Sequence, residues 1–175
     1  MIKTPSILSV AIENRTALIK VTGRANFSAS VDFKALVLEQ QALGMDRLVI
    51  ELSECATMDS TFLGVLTAVA LKPGRERPGA AAGLELLNAN PRIADLLENL
   101  GVSHLFTMSE TQEGHCFEPA QGAAVASRDM VSRTCLEAHE TLIAVNPENL
   151  AKFKEVTQFL AEDLKRSAEK SGGAG

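Results

Sequence analysis

Leu48-Val49-Ile50-Glu51-Leu52 is a short apolar run, and after the polar break Ser53 to Met58 the sequence Asp59-Ser60-Thr61 opens a second apolar stretch, Phe62 to Leu71. The first run has the length and aliphatic content of a buried strand, and the second is long enough for a helix. Asp, Ser and Thr are the residue types that accept hydrogen bonds from the unpaired N–H groups of a helix's first turn. This order constrains the chain to an α/β fold in which hydroxyls stand at a solvent-facing helix N-terminus. Such an end carries about half a positive charge, so an added phosphate can sit there without melting the helix.

The pattern repeats on both sides of this stretch. Ile7 to Ile12 and Ala17 to Thr22 are β-prone runs joined by the polar turn Glu13-Asn14-Arg15, an antiparallel hairpin. Phe33, Leu36, Val37 and Leu43 follow at mostly helical spacing, with Ser28 or Ser30 as N-cap and Gly44 as terminator. Lys72-Pro73-Gly74-Arg75-Glu76-Arg77-Pro78-Gly79 cannot continue a helix and reads as a mobile, basic loop. Leu84 to Leu87 is a further strand. Asn90-Pro91 then starts a helix whose face is Ile93, Leu96, Leu97 and Leu100, closed by Gly101 before a last strand at Leu105-Phe106. Strands alternating with helices imply parallel neighbours.

The core domain is expected over residues 1–110, with 111–128 as a linker poor in periodicity. Residues 129–170 read as a helical hairpin: Val131, Cys135, Leu136, Leu142 and Ile143 on one helix, then Asn146-Pro147 as cap and first turn of another bearing Leu150, Phe153, Val156, Leu160 and Leu164. Its apolar stripe must be covered, by the chain's own domain or by a second copy in a homodimer. Residues 171–175 are expected to be a disordered tail.

These landmarks carry a resemblance. Thr22-Gly23 after the second run, the strand leading into Met58-Asp59-Ser60, and Asn90-Pro91 with its helix resemble the signature of the STAS domain, shared by bacterial anti-sigma factor antagonists, stressosome subunits and sulfate-transporter tails. The likeness covers about residues 6 to 110. It implies an α/β STAS fold, a mixed four- to five-stranded sheet covered by helices on one side, here with a C-terminal helical hairpin added. It further implies an anti-sigma factor antagonist whose phospho-acceptor follows the Asp of the motif. That position is Ser60, with Thr61 as the alternative. The partner implied is an anti-sigma factor and serine kinase of the histidine-kinase-like ATPase class, with a phosphatase to reverse it. The chain itself would be no enzyme and hold no cofactor.

Each site residue also has a plainer use. Ser60 and Thr61 are ordinary helix-capping types, and Asp59 reads as the N-cap itself. A phosphate on Ser60 would add about −1.5 to −2 charges beside Asp59, enough to switch a docked complex. Phe62 departs from the glycine common in the family, either as an apolar anchor for a partner or as a side chain turned inward to pack. The turn at Asn14 and the loop Arg24-Ala25-Asn26-Phe27-Ser28 are expected on the same edge as Ser60, and Asp59, Ser60, Thr61, Phe62 and Asn26 form the expected partner-binding set. A structural STAS subunit, such as a stressosome-like scaffold or the accessory subunit of a lipid-transport ABC complex, is the alternative; Phe62 and the hairpin suit it.

Other functions lack their residues. A net charge of −5 with neither Trp nor Tyr argues against direct nucleic-acid binding. The stretch Phe62 to Leu71 is half the length of a membrane span, which needs about 20 apolar residues. Cys55, Cys116 and Cys135 do not make a disulfide framework. With no basic segment and apolar run marking an N-terminal signal, a cytoplasmic location is expected. Cys135 and His139, at i and i+4, could meet as half a metal site or an activated thiol, but no second half is evident and no metal is expected. No G-x-S-x-G surrounds Ser60, and no P-loop or G-x-G-x-x-G occurs.

Overall fold

The computed structural model describes residues 7–72, 84–121 and 126–173. The elements run β1 (Leu8–Glu13), β2 (Thr16–Val21), β3 (Gly23–Ala25), α1 (Phe27–Ala42), β4 (Arg47–Glu51), β5 (Cys55–Met58), α2 (Ser60–Ala70), β6 (Leu84–Leu87), α3 (Pro91–Asn99), β7 (Phe106–Ser109), β8 (Glu118–Pro119), α4 (Arg128–Val145) and α5 (Asn149–Gly172). The expected basic loop at Lys72–Gly79 lies, from residue 73 on, outside the described residues.

β4 is central because its residues beyond Arg47 are all buried. It pairs in parallel with β2 on one side and β6 on the other, and β7 extends the parallel part beyond β6. β1 pairs antiparallel with β2 through the turn at Asn14 and Arg15, both at positive φ. The sheet order is β7-β6-β4-β2-β1-β8. Alternation along the strands decides its two faces. Ile19, Leu48, Ile50, Leu84 and Leu86 meet Phe33, Leu63, Leu66, Ile93 and Leu97 from the helices in the main core. Ala11, Leu18, Val49 and Leu87 point to the other face, where Phe117 packs. The helices thus cover one side, as the STAS resemblance implies.

Three differences from the sequence expectation have local causes. The sixth strand, β8, comes from the stretch read as linker: Glu118 and Pro119 pair with Val10 and Ser9 at the sheet edge. A two-residue strand leaves no periodic signal. The last helix continues to Gly172, so Ser171 and Gly172 are helical, not tail; residues 174–175 are outside the described set. Asn146 does not cap α5. It ends α4, while its amide and that of Asn149 donate to the Leu100 carbonyl, at 3.4 and 2.9 Å. The α4–α5 connection is therefore pinned to the end of α3.

The hairpin joins the main core. Ala138 and Leu142 of α4 are buried in it, with Val145 and Phe153 packed against them. α5 contributes only one fully buried residue, Asn149, and leaves Leu150, Val156 and Phe159 exposed.

Candidate functional site: the paired helix starts at Asp59 and Ser60

Two very short strands position the site. β3 and β5 pair in parallel, with Ala25 opposite Met58, so the residues that follow them, Asn26 and Asp59, begin α1 and α2 side by side. Asn26 caps α1 through its side-chain oxygen, which accepts from the Ala29 N–H at 3.0 Å. Asp59 serves both helices. One carboxylate oxygen accepts from the Phe62 N–H at 2.8 Å as the cap of α2, and the other accepts from the Phe27 N–H at 2.7 Å, the first residue of α1. Its own N–H donates to the Ala25 carbonyl at 2.9 Å. A carboxylate shared by two positive helix ends is favoured both by hydrogen bonding and by the dipoles. Asn90 adds the third helix: its oxygen caps α3 at Ile93, and its amide donates to the Cys55 carbonyl of β5 at 2.9 Å.

Ser60, the first residue of α2, is partly buried. Its Oγ lies 2.9 Å from His139 Nε2 on α4. His139 Nδ1 lies 2.6 Å from the Cys135 carbonyl, which only accepts, so Nδ1 carries a proton. In the neutral ring Nε2 is then the acceptor and the Ser60 hydroxyl donates to it. His139 itself is buried, edge-on to Phe153 with ring centroids 4.7 Å apart. Thr61 is buried, its hydroxyl 3.7 Å from the Cys135 sulfur. Burial pushes the Cys135 thiol above the ordinary range and the nearby Asp59 charge adds to this, while the Thr61 hydrogen bond opposes it. The thiol is therefore not an activated one.

Phe62 has no exposed surface, and its ring packs on Phe33 with centroids 4.9 Å apart. Of its two possible uses, inward packing is the one adopted. Behind it, Gly64 lets α4 approach the α2 backbone closely: a Cβ built there would stand 2.5 Å from the Ala138 carbonyl oxygen.

The sequence-predicted residues Asn26, Asp59, Ser60 and Thr61 are brought together at one end of the sheet. Asn14 is not. Its turn precedes Thr16, which pairs with Arg47 at the start of β4, and its neighbour Arg15 bonds Asp46, whereas α2 begins beyond the other end of β4. The turn joins the end of β1 to the start of β2, at the end of the sheet where the parallel strands β2 and β4 begin, so it cannot share an edge with the loops that follow those strands. The sequence did not anticipate His139 as the partner of Ser60; its i, i+4 spacing from Cys135 points to a meeting with that thiol, whereas Nδ1 meets the Cys135 backbone carbonyl.

Ser60 and His139 make a hydroxyl–imidazole pair but not a nucleophilic triad. The imidazole is oriented by a backbone carbonyl, and both Asp59 oxygens are held by N–H groups. Among the described residues no group of three or more His, Cys, Asp or Glu is placed to hold a metal ion, and no helix is long and apolar enough to cross a membrane.

A mixed sheet with helices on one face, and with the helix starts gathered at the ends of its parallel strands, defines a STAS-type domain. Residues 8–108 match the family model described as Mlab, STAS domain, and the chain belongs to the STAS domain family. No match was found among curated proteins. Among solved structures it is similar to TM1081 of Thermotoga maritima, a candidate anti-sigma factor antagonist, at 17% identity and a TM-score of 0.51 over 60% of this chain and 87% of that one. It is also similar to the anti-sigma factor antagonist SpoIIAA in its unphosphorylated form, at 19% identity and 0.49 over 60% and 89%. For the phosphorylated form of the Bacillus cell fate determinant SpoIIAA the values are 19% and 0.44 over 60% and 92%. At these identities the likeness is one of fold. The hairpin α4–α5 lies wholly outside the family match.

Proposed function

We propose that this chain is a non-catalytic protein-binding module, an anti-sigma factor antagonist switched by phosphorylation of Ser60. The observation that carries the reading is the placement of a hydroxyl at the start of α2, directly after a carboxylate that holds two helix ends together. The unphosphorylated chain captures an anti-sigma factor of the histidine-kinase-like ATPase class and so frees a sigma factor. That partner, or a related kinase, transfers the γ-phosphoryl group of Mg-ATP to Ser60 Oγ, with loss of the hydroxyl proton and release of ADP. A phosphatase hydrolyses the ester and returns inorganic phosphate. The added charge stands beside Asp59, and like charges forced into an interface cost several kcal/mol. Asn26, Asp59 and Ser60 supply the docking face, which acts in the cytoplasm. Thr61 is buried and Phe62 supports the face from inside, so Ser60 is the acceptor.

Affinity capture with wild-type, Ser60→Ala and Ser60→Asp chains tests this. The first two should recover an ATP-binding anti-sigma factor and the third should lose it; equal recovery by all three refutes a charge switch.

The cover of α4 over Ser60 favours a second reading, a structural STAS subunit in permanent contact with other subunits and never phosphorylated. A stable homo-oligomer in solution supports this second reading, and a monomer supports the switch.

A further inference from the structure

We infer that α4–α5 is an intramolecular latch on the Ser60 face: the hairpin occupies the surface a partner would dock on, and it must leave as one unit before Ser60 is reached. The inference rests on the reading of Ser60 as the docking and modification site. α4 sits directly on the start of α2. His139 takes up the Ser60 hydroxyl, Cys135 lies on Thr61, and Ala138 meets the backbone at Gly64. A phosphoryl group on Oγ replaces the proton that Ser60 donates to Nε2, so phosphorylation removes this tie between α2 and α4. In this geometry phosphorylation and a docked α4 oppose each other.

The sequence is adapted to hold the hairpin there. A glycine inside a helix is disfavoured against alanine, and Gly64 is accounted for by the approach of α4. The attachment is made chiefly by α4, which buries Thr134, Ala138, His139 and Leu142, and little by α5. Ala138 and Leu142 are the apolar residues of the hairpin that are fully buried, and α5 exposes most of its length. Polar ties add to it: Lys34 to Glu137 at 2.9 Å and Lys152 to the Asn99 carbonyl at 2.8 Å at the surface, and the buried Asn149 amide to the Leu100 carbonyl. A pair of helices that takes no part in the sheet is the kind of supersecondary unit that opens on its own ahead of the global transition. The hairpin is also an addition, since the family match ends at residue 108; the shared domain does not include what covers its own helix start.

Two experiments on the full chain decide the matter. Hydrogen exchange followed by mass spectrometry should show α4 and α5 exchanging together, at least tenfold faster than β2 and β4. Ala138→Leu, which wedges α4 from Gly64, should raise that exchange a further tenfold or more while β2 and β4 hold; His139→Ala should act in the same direction more weakly. If α4 and α5 exchange only at the rate of β2 and β4, in wild type and both variants, there is no latch. The second experiment locks it. Thr61→Cys places a thiol against Cys135, so the same chain can be compared oxidised and reduced in capture of the anti-sigma factor. Loss of capture on oxidation and recovery on reduction support the latch. Equal capture in both states overturns it while leaving the docking reading intact. If no chain, wild type included, captures such a partner, the docking reading fails and the latch on that site is overturned with it, whatever the exchange shows.

Discussion

Gly64→Ala is the smallest change that tests the packing around Ser60, because two well-understood effects oppose each other there. In a helix free of neighbours alanine is worth about 1 kcal/mol more than glycine. In α2 the added methyl carbon would lie 2.5 Å from the Ala138 carbonyl oxygen and 2.6 Å from its Cβ. An ordinary carbon–oxygen contact is about an ångström longer, and the obstacle is backbone, so no rotamer change relieves it. Overpacking of this kind costs about 1–3 kcal/mol. A shift of α4 by an ångström also breaks the Ser60–His139 hydrogen bond, a further loss of about 1 kcal/mol. The balance is a net destabilisation of about 1–3 kcal/mol, concentrated in the attachment of α4. With neither Trp nor Tyr in the chain, the assay is urea denaturation followed by far-ultraviolet circular dichroism. A variant more stable than wild type by about 1 kcal/mol would show that helix propensity decides and that α4 does not press on Gly64.

Asp59→Ala removes the acceptor for the first turns of both α1 and α2 and should cost about 2–4 kcal/mol by urea denaturation, from one lost cap and one orphaned N–H; Asp59→Asn should recover part of it, and a cost no larger than that of a surface substitution contradicts the shared-cap geometry. The thiols should alkylate in the order Cys116, Cys135, Cys55, since the first is exposed and burial raises the other two. A raised folded-state value means that the unfolded thiols ionise first, so these two cysteines contribute stability that is complete below about pH 8.5 and is lost as the pH rises through their folded values. Unfolding midpoints taken from pH 7 to 10 should therefore fall at the alkaline end, and less steeply in Cys55→Ala.

The path from sequence to fold was legible wherever a single element carried its own signal. Asp59 and Asn90 cap the helices expected of them, Gly44 and Gly101 end helices at positive φ, and Leu84–Leu87 is the strand expected. Asn26 took the cap assigned to Ser28 or Ser30, a shift within one turn caused by its hydrogen bond to the Ala29 N–H. What escaped was short or remote. β3 and β8 have too few residues for a period to register, β5 lies in the polar break Ser53 to Met58 and lacks the aliphatic run that marks β6, and all three form because a neighbouring strand offers them hydrogen bonds. The edge assigned to Asn14 failed for a related reason: which end of a sheet a turn occupies depends on pairing direction, which no residue in the turn encodes.

The site divides along the same line. Asp59, Ser60 and Thr61 could be recognised as a helix start because capping is a contact between residues two or three apart, written in the sequence itself. That the Asp59 carboxylate also holds α1, that Phe62 turns inward onto Phe33, and that His139 closes over the Ser60 hydroxyl from 79 positions away were decided only by tertiary packing. Local hydrogen bonds fix what each segment prefers, but burial of α4 against α2 fixes which distant side chain meets the hydroxyl, and so whether that hydroxyl stands free or covered.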